Sequence, residues 1–413
     1  MRVLFFTHYF PPEGNAPASR TLENCRRWVS QGHQVTVVTC TPNSPTGIPY
    51  SGYENRLFQR EEIEGIEVCR VWTYLAANKG VFHRTTSFIS FMLSAIIYSL
   101  WRRRPDVIIA TSPQFFCGWA GVVVSWLKWR PLILEIRDIW PESISAVGAM
   151  RNRFVLGILE LLEKWMYAAA THIVTVGKGY RQKLLERNVP ANKISIVTNG
   201  ADTEFFRPLP PDEAVRQEYG LHDKFVCASI GTLGLSSGLQ IVPKAAQILH
   251  QRNRNDIVFM LVGDGAIGDE LKQMVGHMGL KNVIFTGRQN KNRVPAFLSI
   301  SDVCLAHLQR RELFQTVIPS KIFEAMAMAK PILLGVEGLA AELVERAGAG
   351  VCFEPDNAEQ LADILEQLLD DPARLKQYAA AGESYVREHF NWDNLSREYL
   401  EIVEDILRPG KNR

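Results

Sequence analysis

Lys321 and Glu324 stand three residues apart in IPSKIFEAMAMAKP, residues 318–331. That spacing puts an ammonium and a carboxylate on one face of a helix starting after Pro319. Backbone donors at a helix start suit a phosphate, and a cation beside them strengthens the attraction. A carboxylate one turn on can accept both hydroxyl protons of a ribose diol. The segment therefore offers both halves of a nucleotide-sugar site, against the plainer reading of an amphipathic helix after a proline. Three glycines in GTLGLSSG, Gly231, Gly234 and Gly238, follow an apolar run and would let backbone approach a phosphate. The next two apolar runs end in Gly263-Asp264-Gly265 and in Gly287-Arg288, so three successive strand ends carry loops of this kind.

These loops need rigid elements behind them. A chain of 413 residues with 46% hydrophobic content has the material for two well-packed domains. Its formal charge of +2, from 46 basic and 44 acidic residues, argues against nucleic acid as a partner. Seven scattered cysteines without a CxxC pair indicate neither a disulfide framework nor a zinc site, and read as reduced, buried thiols. The opening MRVLFFTHYF is a strand-like run reaching Pro11-Pro12, too short for a secretory signal, so a cytosolic location is expected.

In the first half, β-branched runs at residues 2–7, 34–39, 67–71, 107–110, 132–135, 173–176 and 194–197 alternate with helical patterns, one of them from about Ala18 to a stop at Gly32-His33. A second series lies at 225–230, 257–262, 283–286, 303–306 and 332–334. This grammar predicts an α/β protein with two doubly wound parallel-sheet lobes. FRPLPP at 206–211 is stiff and suits the boundary between them.

Taken together, the motifs resemble a retaining glycosyltransferase of the GT-B fold, in the large family numbered four. The resemblance is carried by Pro11-Pro12-Glu13-Gly14, GHQVTV at 32–37, TNGAD at 198–202, LVGDG at 261–265 and SKIFEA at 320–325. It implies two Rossmann-like lobes facing across a cleft, with residues 1–205 receiving the acceptor and residues 206–389 holding the nucleotide-sugar donor. A final helix within 390–413 would cross back to the first lobe.

The same resemblance implies site roles. Gly231, Thr232, Gly234, Ser237, Gly238, Gly263, Asp264, Gly265, Thr316, Ser320 and Glu324 fall at donor-binding positions, and Lys321 and Arg288 at catalytic ones, where they neutralise the diphosphate. On the acceptor side, EIRDIWPE at 135–142 ends an apolar run. Asp138 is the preferred contact to the acceptor hydroxyl, with Gly14, Asn15, Arg137 and Glu142 around it. The plainer alternatives are an Arg137–Asp138 ion pair and a helix start at Glu142 after Pro141. His8 and His172 lie near strand ends, where lone histidines are more often structural.

Two departures stand out. Thr316 occupies a position where the family often has glutamate, and Thr232 and Ser237 stand where it tends to have arginine and lysine. The Pro-Ser-Lys run matches a subgroup close to bacterial surface-polysaccharide transferases, such as O-antigen and capsule enzymes adding an N-acetylated deoxyhexose like N-acetyl-L-fucosamine. A UDP-sugar donor, a polyprenyl-diphosphate-linked saccharide acceptor, no cofactor and no metal are the expectations; no Asp-x-Asp follows a strand. The rival readings are a nucleotide-sugar epimerase on the same scaffold and a non-catalytic nucleotide-sugar-binding subunit.

FISFMLSAIIYSLW at 88–101 is apolar over 14 residues and flanked by Arg84 and Arg102-Arg103-Arg104. It is too short to span a bilayer, which needs about 20 residues. With Trp119, Trp126, Lys128, Trp129 and Arg130 it suits peripheral attachment to the anionic cytoplasmic leaflet. The alternative is a wholly buried helix of the lobe.

Overall fold

The structure is a computed structural model describing residues 1–44, 46–76, 81–112, 114–140 and 152–408. The chain divides into two compact units, Met1–Asn199 with the segment from Asp393 onward, and Gly200–Trp392.

The first unit is built on β1 (Arg2–Phe6), β2 (Gln34–Cys40), β3 (Phe58–Ile63), β4 (Ile66–Val71), β5 (Val107–Thr111), β6 (Leu132–Ile136), β7 (His172–Thr175) and β8 (Ile194–Ile196). They form one sheet in the order β3-β4-β2-β1-β5-β6-β7-β8. Central strands such as VIIAT and LILEI are buried at every position, as a sheet covered on both faces requires. One strand departs from the all-parallel expectation. β3 pairs antiparallel with β4 through a turn at Glu64-Gly65, both at positive φ, the conformation of a tight two-residue hairpin. Its FQREEI sequence is an edge pattern of exposed and half-covered residues, so no apolar run announces it.

The helix Ala16–Ser30 begins at Asn15, whose side chain accepts from the Ala18 amide at 3.0 Å. It stops at Gly32, with φ +86°, where the His33 amide returns to the Trp28 carbonyl at 3.1 Å. Trp28 is fully buried against the last helix, Trp392–Leu407. Its indole donates to the Ser396 carbonyl at 3.1 Å and its ring meets Tyr399 edge-on at 5.3 Å.

The second unit holds β9 (Phe225–Ile230), β10 (Ile257–Val262), β11 (Val283–Gly287), β12 (Val303–His307), β13 (Ile332–Gly335) and β14 (Gly350–Cys352). All are parallel, in the order β11-β10-β9-β12-β13-β14. β14, only three residues long, has no signature in the sequence reading. Phe206 of the proline-rich segment is buried in this unit's core with Ala201.

Candidate active site

In an open parallel sheet the loops diverge where strand order reverses, leaving a crevice at the carboxyl ends of two neighbouring strands. In the second unit those strands are β9 and β12. Lys321 opens the helix Lys321–Ala327 that follows β12. Its Nζ lies 3.7 Å, and its Cε 3.6 Å, from the point where a β-carbon on Gly231 would sit. The ammonium thus packs beside the glycine loop after β9; a β-carbon at Gly231 would only touch it, and the backbone φ of +128° is what disfavours a larger residue there. A small pocket here is lined by Ala228, Ile230, Ala306, Lys321 and Glu324. Burial pushes the Glu324 carboxyl up to about 7, with Lys291 and then Lys321 pulling the other way. Burial lowers Lys321, and Glu324 opposes that shift.

Lys291 was not singled out by sequence reasoning. It stands three residues beyond Arg288, in the short turn Lys291–Arg293, with its ammonium 5.6 Å from the Phe205 ring centre. Arg288 is exposed after Gly287 on the edge strand β11. At about 4.8 Å per strand, the carboxyl ends of β11 and β12 are roughly 14 Å apart, with those of β10 and β9 between them.

The glycines have a second reason to be glycines. A β-carbon on Gly263, at φ +139°, would fall 1.9 Å from the Gly231 carbonyl oxygen, and one on Gly265 would fall 2.5 Å from that of Leu233. Loop crosses loop there, and the backbone of Gly231 and Leu233 takes the space. Asp264 Oδ1 accepts from the Gly265 amide at 2.7 Å. Thr232 is exposed and Gly234 half-covered, while Ser237 is turned inward and donates from Oγ to the Gly234 carbonyl at 2.6 Å. Gly238 closes the loop at φ +59°. Thr316 ends the short turn Glu312–Thr316, and Ser320 precedes the lysine helix without a side-chain cap. That helix has seven residues, so its end amides add less than the two lysines to the positive field.

In the first unit the order reverses between β1 and β5. Gly14, after β1, is exposed with no atom within 4 Å of its would-be β-carbon. Asn15 is spent on capping the helix Ala16–Ser30. Glu13 anchors this loop from below, accepting from the Asn43 amide at 3.0 Å and the Ser44 amide at 2.9 Å. Arg70, fully buried, grips the carbonyls of Pro11 and Cys40 and the Glu61 carboxylate.

Asp138 follows β6, where its amide and that of Arg137 donate to Ser112 Oγ at 3.2 and 2.7 Å. Arg137 Nη1 is buried without a hydrogen-bond partner, and burial draws the guanidinium down to about 10, opposed by Glu135. Glu135 itself is internal. Its carboxylate accepts from Arg20 Nε at 2.9 Å and Thr111 Oγ1 at 2.7 Å. Burial would raise it, but Arg20 and Arg137 hold it below the usual range. Arg20 also donates to the carbonyls of Val197 and Thr198, tying the helix Ala16–Ser30 to the end of the sheet. Neither Arg20 nor Glu135 is open to a substrate, and Glu142 lies outside the described residues. His8 is buried among Tyr9, Phe88 and Phe91, all edge-on to its ring, with Nδ1 lacking a hydrogen-bond partner, and His172 bonds Ser195 Oγ at the opposite end of the sheet, away from the crevice.

The helix Val81–Leu100 serves two environments. Phe88, Phe91 and Ala95 are buried, while Ile89, Leu93, Ile97 and Leu100 are exposed and lead to Trp101, which is 86% exposed. At the end of the neighbouring helix Phe115–Lys128, Trp126, Leu127 and Trp129 are exposed as well. Trp119 is not part of that surface; one turn or more back from them, it packs against the core. Arg104 Nε donates to the Lys128 carbonyl at 2.6 Å and Lys128 Nζ to the Arg102 carbonyl at 2.7 Å, so the cations border the exposed aromatics. Among the described residues no helix is long and apolar enough to cross a membrane.

Two doubly wound units of this kind, each with a strand-order reversal, are the architecture of the GT-B fold. Sequence models of two glycosyltransferase domains match most of the chain between them: a 4-like domain over residues 15–200 and glycosyl transferases group 1 over residues 211–385. The chain belongs to this glycosyltransferase family. It is 24% identical to the putative colanic acid biosynthesis glycosyl transferase WcaI of Escherichia coli over 414 residues, covering 98% of this chain and 100% of that protein. It is 24% identical to the probable glycosyltransferase WbjE of Pseudomonas aeruginosa, covering 78% and 80% respectively. Among solved structures, HepE of Anabaena in complex with UDP-glucose superimposes with a TM-score of 0.73 at 19% identity, over 98% of this chain and 100% of that one.

Proposed function

We propose that the protein transfers a sugar, with retention of anomeric configuration, from a UDP-sugar to a polyprenyl-diphosphate-linked saccharide during assembly of a bacterial surface polysaccharide. The observation that carries this reading is the packing of Lys321 on Gly231 beside Glu324 at the β9–β12 reversal. Breaking the bond between sugar and diphosphate develops negative charge on the leaving phosphate, and a preorganised ammonium is worth most where that charge appears. Lys321 takes this role, with Arg288 beyond the loop, and a bound metal ion is not required. Glu324 accepts from the ribose hydroxyls. The acceptor hydroxyl, held by Asp138 and bordered by Gly14 and Arg137, attacks the anomeric carbon on the face the diphosphate leaves. Its proton passes to the departing phosphate oxygen, so no separate strong base is needed.

An N-acetylated deoxyhexose such as N-acetyl-L-fucosamine is the donor sugar we favour: the Pro-Ser-Lys run resembles that of surface-polysaccharide transferases, Thr316 alters a contact to the donor sugar, and one relative is named for colanic acid biosynthesis. The exposed apolar face around Trp101, Trp126 and Trp129, bordered by Arg103, Arg104 and Lys128, suits attachment to the anionic inner leaflet where such an acceptor resides. A melting-shift screen with UDP-, GDP-, dTDP- and ADP-sugars tests the donor. A true donor at ~100 times its dissociation constant stabilises the fold by about 2.7 kcal/mol. Silence from every UDP-sugar would overturn the reading, and sugar interconversion without an acceptor would favour an epimerase.

A further inference from the structure

His307 is the last residue of β12, and only 3% of it is exposed. Its Nδ1 lies 2.8 Å from the Ser237 carbonyl oxygen, which can only accept, so Nδ1 carries the proton. Its Nε2 accepts from the Asp356 amide at 3.0 Å and is therefore bare. The two contacts select one neutral tautomer. Burial lowers the ring's basicity, offset in part by the Ser237 carbonyl and Asp356 and reinforced by Lys321.

The ring is seated on all sides. It stacks on Phe353 with centroids 6.1 Å apart, and a β-carbon on Gly335 would come within 2.3 Å of Cδ2. Above it, a β-carbon on Gly238 would meet Nδ1 and Cε1 at 2.8 Å, so the last glycine of the 231–238 loop rests on the imidazole. A second bond runs alongside, from the Gln309 amide to the Ser236 carbonyl at 2.9 Å. On the far side Asp356, at φ +64°, has Oδ1 3.8 Å from Nε2 and Oδ2 3.3 Å from the Arg310 amide. One side chain thus joins the end of β12, the glycine loop after β9 and the loop after β14.

We propose that His307 is a positioning residue for the donor: in its Nδ1–H form it holds the Ser237 end of the glycine loop at the height where that loop receives the diphosphate. This rests on the donor-site reading, since Lys321 fixes the Gly231 end of the same loop. The imidazole itself stays beneath the loop, out of reach of the reacting atoms.

The test combines variants with a spectrum of the unaltered protein. Wild type, His307→Phe, His307→Asn and His307→Gln are titrated with UDP by calorimetry near neutral pH. Phenylalanine keeps the stacking and removes both nitrogens, and is expected to weaken UDP by about tenfold, the worth of one net hydrogen bond. Asparagine can return a donor to Ser237 and should recover binding to within about threefold, whereas glutamine, reaching only toward Asp356, should not. A merely structural role would not separate the two amides. In 15N spectra of histidine-labelled wild type, one of the nine histidines should show the Nδ1–H tautomer and shift on addition of UDP. Absence of that signal, or its indifference to UDP, overturns the proposal even if every variant fails to fold. Wild type that binds no uridine nucleotide defeats the donor-site reading itself, while a phenylalanine variant binding as wild type defeats the role of His307 alone.

Discussion

Glu324 is the residue whose titration most directly exposes the donor site. Burial places its carboxyl at about 7 in the free protein, against 4.5 for an ordinary glutamate. A carboxylate accepting two ribose hydroxyl protons must be ionised, so at low pH donor binding has to expel a proton first. With a midpoint of about 7, roughly one molecule in eleven is ionised at pH 6 and ten in eleven at pH 8, giving about tenfold tighter binding at the higher pH. The free protein should show the opposite trend. A carboxyl raised in the fold binds more protons folded than unfolded, so its contribution to stability is full at low pH and lost as pH rises from about 4.5 through about 7. The loss is at most about 3–4 kcal/mol, at roughly 1.36 kcal/mol for each pH unit between about 4.5 and about 7. Calorimetric titration with UDP-glucose is the suitable assay, because a terminal phosphate titrates near pH 6 and a sugar ester has none. Urea melts of wild type and Glu324→Gln supply the stability half. A flat affinity profile in wild type, or an unchanged slope in Glu324→Gln, would refute the assignment of Glu324 to the ribose.

Lys321→Ala should lower turnover with a UDP-sugar by roughly 30- to 1000-fold, the 2–4 kcal/mol carried by one preorganised donor at a developing negative charge; a variant turning over at the wild-type rate counts against it. Turnover should persist in excess EDTA, measured beside a Mg²⁺ series, and a strict Mg²⁺ requirement would reverse the claim that Lys321 and Arg288 suffice. Arg20→Ala removes the ion-pair partner of the buried Glu135, leaving it Thr111 and the more distant charge of Arg137, and should destabilise the first unit by about 3–5 kcal/mol, read as a lower urea midpoint. Co-flotation with anionic liposomes at low salt should be lost on changing Ile97 and Trp129 to glutamate, and weakened at high salt as charges are screened. Wild type that never floats removes the membrane face from the proposal.

Much of the architecture can be read without coordinates, because a strand covered on both faces must be apolar at every position and a helix must repeat near 3.6 residues. IVFMLV meets the first condition throughout, and VIIAT and LILEI meet it except at Thr111 and Glu135, which satisfy each other and Arg20 inside the unit. β3 and β14 escape this reading for the converse reason: an edge strand wet on one side and a three-residue strand carry no apolar run. The helix at 81–100 shows a subtler limit. From Phe88 onward its composition is largely apolar on every side, and only packing decides that Phe88 and Phe91 face the core while Leu93 and Ile97 face outward.

The lysine and glutamate of the SKIFEA motif are neighbours because three residues along a helix make them so, and that much is local chemistry legible in the chain. Which groups surround them is a matter of sheet order. Strand β12 lies beside β9, so Lys321 meets Gly231 and His307 reaches Ser237 at a sequence separation of 70 residues. In the same way Arg20 finds Glu135 at a separation of 115 residues and removes it from the exposed carboxylates. Periodicity and residue type set the elements and the kinds of side chain offered. Strand order and burial, which depend on contacts between distant segments, decided which of those side chains share a pocket and what charge each one bears.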